Sequence, residues 1–193
     1  MLLATVAGCS DPADKVIKSS GSAPQAQPAP DTAGRSYTIQ PPSRINFVGS
    51  KVTGRHNGGF TNVSGTFTVN AGKIVGSPEI QIDMRSTWTD TPRLTGHLRS
   101  PDFFDIQKFP LSTFAITALE PAATNASVTG NLTLHGVTKS ISFPALVQVA
   151  DDAVTVKAQF AINRKDFNIT YPGKPDDLIR DNVVIKLDVR AAP

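Results

Sequence analysis

Three histidines, His56, His97 and His135, are the side chains best suited by type to move protons or hold a metal near neutral pH. Their spacing argues against both. No two lie four apart, as a zinc-binding helix requires. His56 sits in "GRHNGGF", a glycine-rich turn, and His135 in "LHGV", a strand end before a turn. His97 lies in "RLTGHLRSPDFFDIQKFP", residues 93 to 110, a stretch too polar for a core strand and too aromatic for a free loop. It is the one candidate general base. The acidic pairs at Asp151-Asp152 and Asp176-Asp177 fall in polar loops, where carboxylates are solvated. No G-x-S-x-G nucleophile turn occurs, and the glycine-rich turn lacks the lysine and the strand–loop–helix frame of a phosphate loop. The expected metal site and the expected catalytic site are therefore both none.

The single cysteine carries different chemistry. Cys9 ends "MLLATVAGC", an apolar stretch finishing in small residues. "VAGC" resembles a bacterial lipobox, whose cysteine is acylated. We read residues 1–9 as the remnant of a lipoprotein signal peptide, with Cys9 as the lipidation site. By resemblance to Gram-negative lipoproteins, Ser10 after it favours sorting to the outer membrane. Residues 10–35 are rich in Pro, Ala and Ser and poor in large apolar residues, so they read as a disordered tether.

The elements that must position these residues begin near residue 36. Apolar residues alternate with polar ones: "INFV", "TFTV", "EIQID", "NLTL", "VTVKAQFAI" and "VVIKLDV" each present one greasy face. About eight such strands separated by turn signals predict an all-β fold, an eight-stranded antiparallel barrel over residues 36–193. Its outer face carries Lys, Asp, Arg and Gln, so water lies outside and the apolar face lines the lumen. An eight-stranded barrel is wide enough to be filled by side chains or to hold one ligand. Alternation nominates Phe47, Phe67, Ile82, Phe114, Leu132, Phe143 and Phe160 as lumen residues, with Phe104 from the long interruption. That interruption predicts a short helical insertion near residues 90–100: Asp90 or Thr91 can cap it, Pro92 can start it, and Leu94 and Leu98 share a face. The net charge of +3 is too small to point to nucleic acid.

Three stretches resemble the YceI family of lipocalin-like, polyisoprenoid-binding bacterial periplasmic proteins. "LTGHLRSPDFFDIQKFPLSTF" is similar to the family's H-L-x-S-x-D-F-F-D run, "VTGNLTLHGVTKSISFP" to its G-x-L-T-x-H-G-V-T hairpin, and "AINRKDFNI" to a late strand end in which glycine usually stands at position 168. The resemblance implies a barrel with an elongated apolar cavity for a polyprenyl, quinone or fatty-acid-like chain, bound for transport or storage, with no catalysis and no cofactor beyond the lipid. It leaves Arg93, His97 and Arg99 as rim candidates for a polar head group. The implied setting is the bacterial envelope, on the periplasmic side, with a lipid anchor to the outer membrane; a homodimer through exposed strands is compatible with it. Two alternatives stay open: a lipid-modifying enzyme using His97, and a structural envelope lipoprotein with a filled barrel.

Overall fold

The computed structural model describes residues 10–29, 31 and 33–193. Cys9 and the rest of the lipobox lie outside the described residues. A short strand β1 (Lys18–Ser19) precedes β2 (Arg35–Ile39), β3 (Arg44–Lys51), β4 (Gly54–Phe60), β5 (Val63–Asn70), β6 (Lys73–Val75), β7 (Glu79–Asp83) and β8 (Thr87–Thr89). Helix α1 (Pro92–Leu98) follows, then β9 (Leu111–Glu120), β10 (Ala126–Leu134), β11 (Val137–Val149), β12 (Val154–Asn163), the small hairpin β13 (Gly173–Lys174) and β14 (Asp177–Leu178), and β15 (Asn182–Ala192).

Eight strands close on themselves in the order β12-β11-β10-β9-β7-β5-β2-β15, with β15 returning to β12. Closure works because each strand has an apolar face to turn inward, and it leaves no unpaired edge in that ring. Strand β15 is shared. Its last residues pair with β2, while Val184–Asp188 pair with β3, which continues into the hairpin β3–β4. The register gives the barrel two distinct ends. At the bottom lie the turns at 71–72, 121–125 and 150–153. At the mouth lie the β3–β4 turn, the 135–136 turn, the excursion 84–110 and the loop 164–181.

The helical insertion forms as its sequence predicts, with Thr91 as N-cap and Pro92 in the first turn. Asp90 does not cap it. Its carboxylate instead accepts hydrogen bonds from the Asn57 N–H (2.8 Å) and pairs with His56 Nδ1 (2.9 Å).

Residues 11–25 depart from the expected free tether. Strands β11 and β12 pair only where Ala145–Val149 meet Val154–Ala158. Beyond that point, at Pro144, which has no N–H to donate, the two strands separate toward the mouth. The N-terminal segment fills the seam. Lys18 and Ser19 pair in parallel with Ala161 and Ile162, and Ser22 exchanges two backbone hydrogen bonds with Ser140. The Ser19 hydroxyl binds the Ser142 carbonyl (2.7 Å), and Gln25 is held by the Asn131 side-chain amide through bonds of 2.9 and 2.7 Å. Ala13 is completely buried against Val48, Ala161 and Val184 on the outer wall. Composition misleads here because the segment docks by backbone and hydroxyl hydrogen bonds, which need no large apolar side chain.

Candidate functional site

The barrel encloses a cavity of ≈ 410 Å³, within the size range of small-molecule sites. The seven residues nominated by alternation lie on its wall, Phe47, Phe67, Ile82, Phe114, Leu132, Phe143 and Phe160, and so does Phe104 from the long interruption. Two aromatic groups furnish it. Phe143 and Phe160 stack at 4.0 Å with Phe114 tilted beside them at 5.6 Å. Phe47, Phe60 and Phe104 form a second group with centroids 5.7–6.5 Å apart. At the bottom the wall is mainly aliphatic, with Leu119, Val128, Val147 and Val189 beside Phe67.

Glycines let these rings lie against the strands. A Cβ on Gly58 would come within 2.4 Å of the Phe47 ring, and one on Gly130 within 2.5 Å of the Phe114 ring. Each ring therefore covers a bare backbone and leaves the lumen open. The signature turn His135-Gly136 uses glycine differently. Both residues have positive φ, 51° and 74°, which is the geometry of the tight hairpin turn favoured by strand twist. His135 then packs edge-on against Phe109 and its Nδ1 lies 3.2 Å from the Phe167 carbonyl. It is a fastener between loops, as is the late motif. Asn168, standing where glycine is usual, takes φ 57°, the left-handed conformation that asparagine tolerates best among ordinary residues.

Polar wall residues gather mainly toward the mouth. Lys51 and His56 alternate in phase with the lumen residues of β3 and β4 and reach the cavity. Lys51 pairs with Asp177, and His56 with Asp90. Hydrogen bonding from Lys51, and then from Thr53, holds the Asp177 carboxyl below its ordinary range. The Asn57 N–H, followed by His56 and Thr91, does the same for Asp90. Arg164 also touches the cavity but is saturated. Its guanidinium, 6% exposed, donates to the carbonyls of Arg180, Ile169 and Ile179 and meets Asp181 at 3.4 Å. Burial pushes its pKa down from the usual arginine value, and Asp181 opposes that. Arg164 pins the loop 168–181 over the mouth.

The expected rim residues sit elsewhere. Leu94 and Leu98 turn the inner face of α1 to the cavity, and that rotation leaves Arg93 exposed. His97 Nε2 donates to the Asp102 carboxylate at 2.7 Å and packs edge-on against Phe103 and Tyr171, each at 5.0 Å, off the cavity wall. Arg99 reaches back to the Thr87 carbonyl (2.6 Å). None of the three lines the cavity. Phe103 and Phe104 both do, Phe103 from beneath α1 and Phe104 from beside Phe47 and Phe60. Lys51 escapes sequence reasoning because it looks like a hairpin polar residue; its phase with Phe47 was the available signal.

Residues 37–191 match the model of the YceI-like domain. The chain belongs to the YceI family. It is 35% identical over 121 residues to the protein YceI of Salmonella arizonae, an alignment covering 58% of this chain and 63% of that relative. The fold is similar to Burkholderia cenocepacia BcnA (TM-score 0.70, 26% identity, 78% of this chain and 96% of that one). It is also similar to a polyisoprenoid binding domain from Saccharophagus degradans implicated in plant cell wall breakdown (TM-score 0.66, 21% identity, 81% and 98%). In this chain the closed antiparallel barrel carries one short helix at the mouth.

Proposed function

We propose that this YceI-family barrel binds the chain of an isoprenoid or another long amphipathic lipid in its lumen, for transport or storage. One observation carries the reading: a single apolar cavity runs from a mainly aliphatic bottom to a mouth furnished with Lys51 and His56. Such a cavity suits a molecule with one greasy tail and one polar end. Each methylene taken from water contributes about 0.8 kcal/mol, so tail length governs affinity and the mouth governs orientation. The solved polyisoprenoid binding domain of like fold supports the class of ligand. The reading places the protein on the periplasmic side of the bacterial envelope, tied to the outer membrane through an acylated Cys9. It assigns no catalytic step, since the His97–Asp102 pair lies off the cavity wall.

The test is organic extraction of the purified full chain followed by mass spectrometry. The expected result is one long-chain lipid at near-stoichiometric amount. A lumen that comes out empty, and stays empty after incubation with polyprenyl alcohols and fatty amides, sinks the proposal. Turnover of such a lipid that vanishes in His97→Ala while binding persists would replace it with an enzyme.

A further inference from the structure

Large apolar side chains left in water are unevenly placed on this barrel. Six are exposed among the described residues, and only Leu146 belongs to the bottom half. The two at the tip of the mouth form a pair. Val52, 46% exposed in the β3–β4 turn, donates its backbone N–H to the carbonyl of Leu178, 49% exposed in the β13–β14 hairpin. They stand directly beside Lys51 and the cavity opening.

The N-terminal segment ends at the same place. Asp11 accepts from the Ser50 hydroxyl (3.4 Å) and lies 3.8 Å from Arg180. From there the chain is docked along the barrel as far as Gln25, so it provides no free length for standing off. Cys9 precedes Asp11 by two residues, a reach of about 7 Å at full extension. Lys51 pairs with Asp177 and Arg180 lies near Asp11, while Arg55 and Lys174 on the two hairpins are exposed. The tip therefore presents two apolar prongs with Arg55, Lys174 and Asp176 exposed around them.

We propose that the mouth rim rests on a lipid bilayer, with Val52 and Leu178 inserted at the interface, so that the cavity opens toward the membrane. This rests on the lipid-binding reading and adds to it the route by which a tail enters: from the bilayer directly into the lumen, without crossing water. Contact is apolar, so it does not require anionic lipid.

The test couples Cys9 of the full chain, its only cysteine, to a maleimide-bearing phospholipid in phosphatidylcholine vesicles, so that delivery to the surface is assured. Trp88, the only tryptophan, is replaced by phenylalanine. A single reporter is then placed at the rim (Val52→Trp) or at the bottom loop (Ala123→Trp), with brominated phosphatidylcholine as quencher. The expected result is strong quenching at position 52 and none at 123, unchanged in 0.5 M salt and reduced at least about threefold by Leu178→Asp. Equal or absent quenching at the two positions overturns the proposal, since the barrel then tumbles or stands off. Quenching that needs anionic lipid and disappears with salt overturns it in favour of a charged contact. Protection of position 52 by concentration-dependent dimers overturns it in favour of a second copy of the chain. Lipid extracted from the same samples reports the lumen separately, so an empty lumen with a docked rim refutes the binding reading alone.

Discussion

At the bottom of the barrel the strands turn back through short loops, and their inward side chains meet one another. Tyr37, Phe67, Val154 and Val189 are all nearly inaccessible there, and the Tyr37 hydroxyl donates to the Asp151 carbonyl across the closure. At the mouth the same strands open into a helix, a twelve-residue run of turns and a long loop, held by polar pins: Arg164 on three carbonyls, Lys51 on Asp177, His56 on Asp90. The bottom is held by packing, whose energy grows with area. The mouth has a packed cluster too, with Met84, Leu98, Phe103 and Ile169, but its loops are also fixed by oriented hydrogen bonds, which specify a shape.

That contrast can be broken by substitution. Phe67→Ala at the bottom should cost about 3–5 kcal/mol of stability in urea titration, as for other large-to-small changes in closed cores. Arg164→Leu at the mouth should cost about 3 kcal/mol, since three carbonyls and Asp181 lose a buried partner. Its signature differs, because proteolysis should then start within residues 168–181 before global unfolding. Gly130→Ala should cost about 1–3 kcal/mol, because the new methyl meets both the Phe114 ring and the Ala115 carbonyl. Val147→Trp should leave the fold standing yet shift the extracted lipids to shorter tails. Lys51→Ala with His56→Ala should change stability by less than about 1 kcal/mol, while weakening retention of a head-bearing lipid about fivefold and leaving tail length alone.

Acid should act on the mouth first. Asp90 and Asp177 are held below the ordinary carboxylate range. Their contribution is thus fully present above the unfolded value of about 3.9 and is lost as pH falls through the lower folded values. Trp88 fluorescence, close to Asp90 in sequence, should change as pH falls below about 4, before far-ultraviolet circular dichroism does, and Asp90→Asn should remove that early change.

The barrel was legible from alternation because closure demands what alternation encodes: one apolar face per strand. The lumen residues followed for the same reason. The mouth was harder. Arg93, His97 and Arg99 flank a motif resembling that of the family, but the rotation of α1 that buries Leu94 and Leu98 turns Arg93 to solvent and His97 onto Phe103 and Tyr171. Lys51 was visible only as a member of a hairpin. The docked segment 11–25 had no signal that composition could carry, since its fasteners are Ser19, Ser22, Gln25 and the backbone.

Orientation of the tail is the central claim, and photolabelling tests it most directly. A long-chain alcohol bearing a diazirine at its terminal carbon, loaded into the full chain and irradiated, should label bottom residues such as Leu119, Val128 and Val147. The same alcohol with the diazirine beside the hydroxyl should label the strands around Lys51 and His56. Labels distributed alike for the two probes, or exchanged between the two ends, would contradict the account.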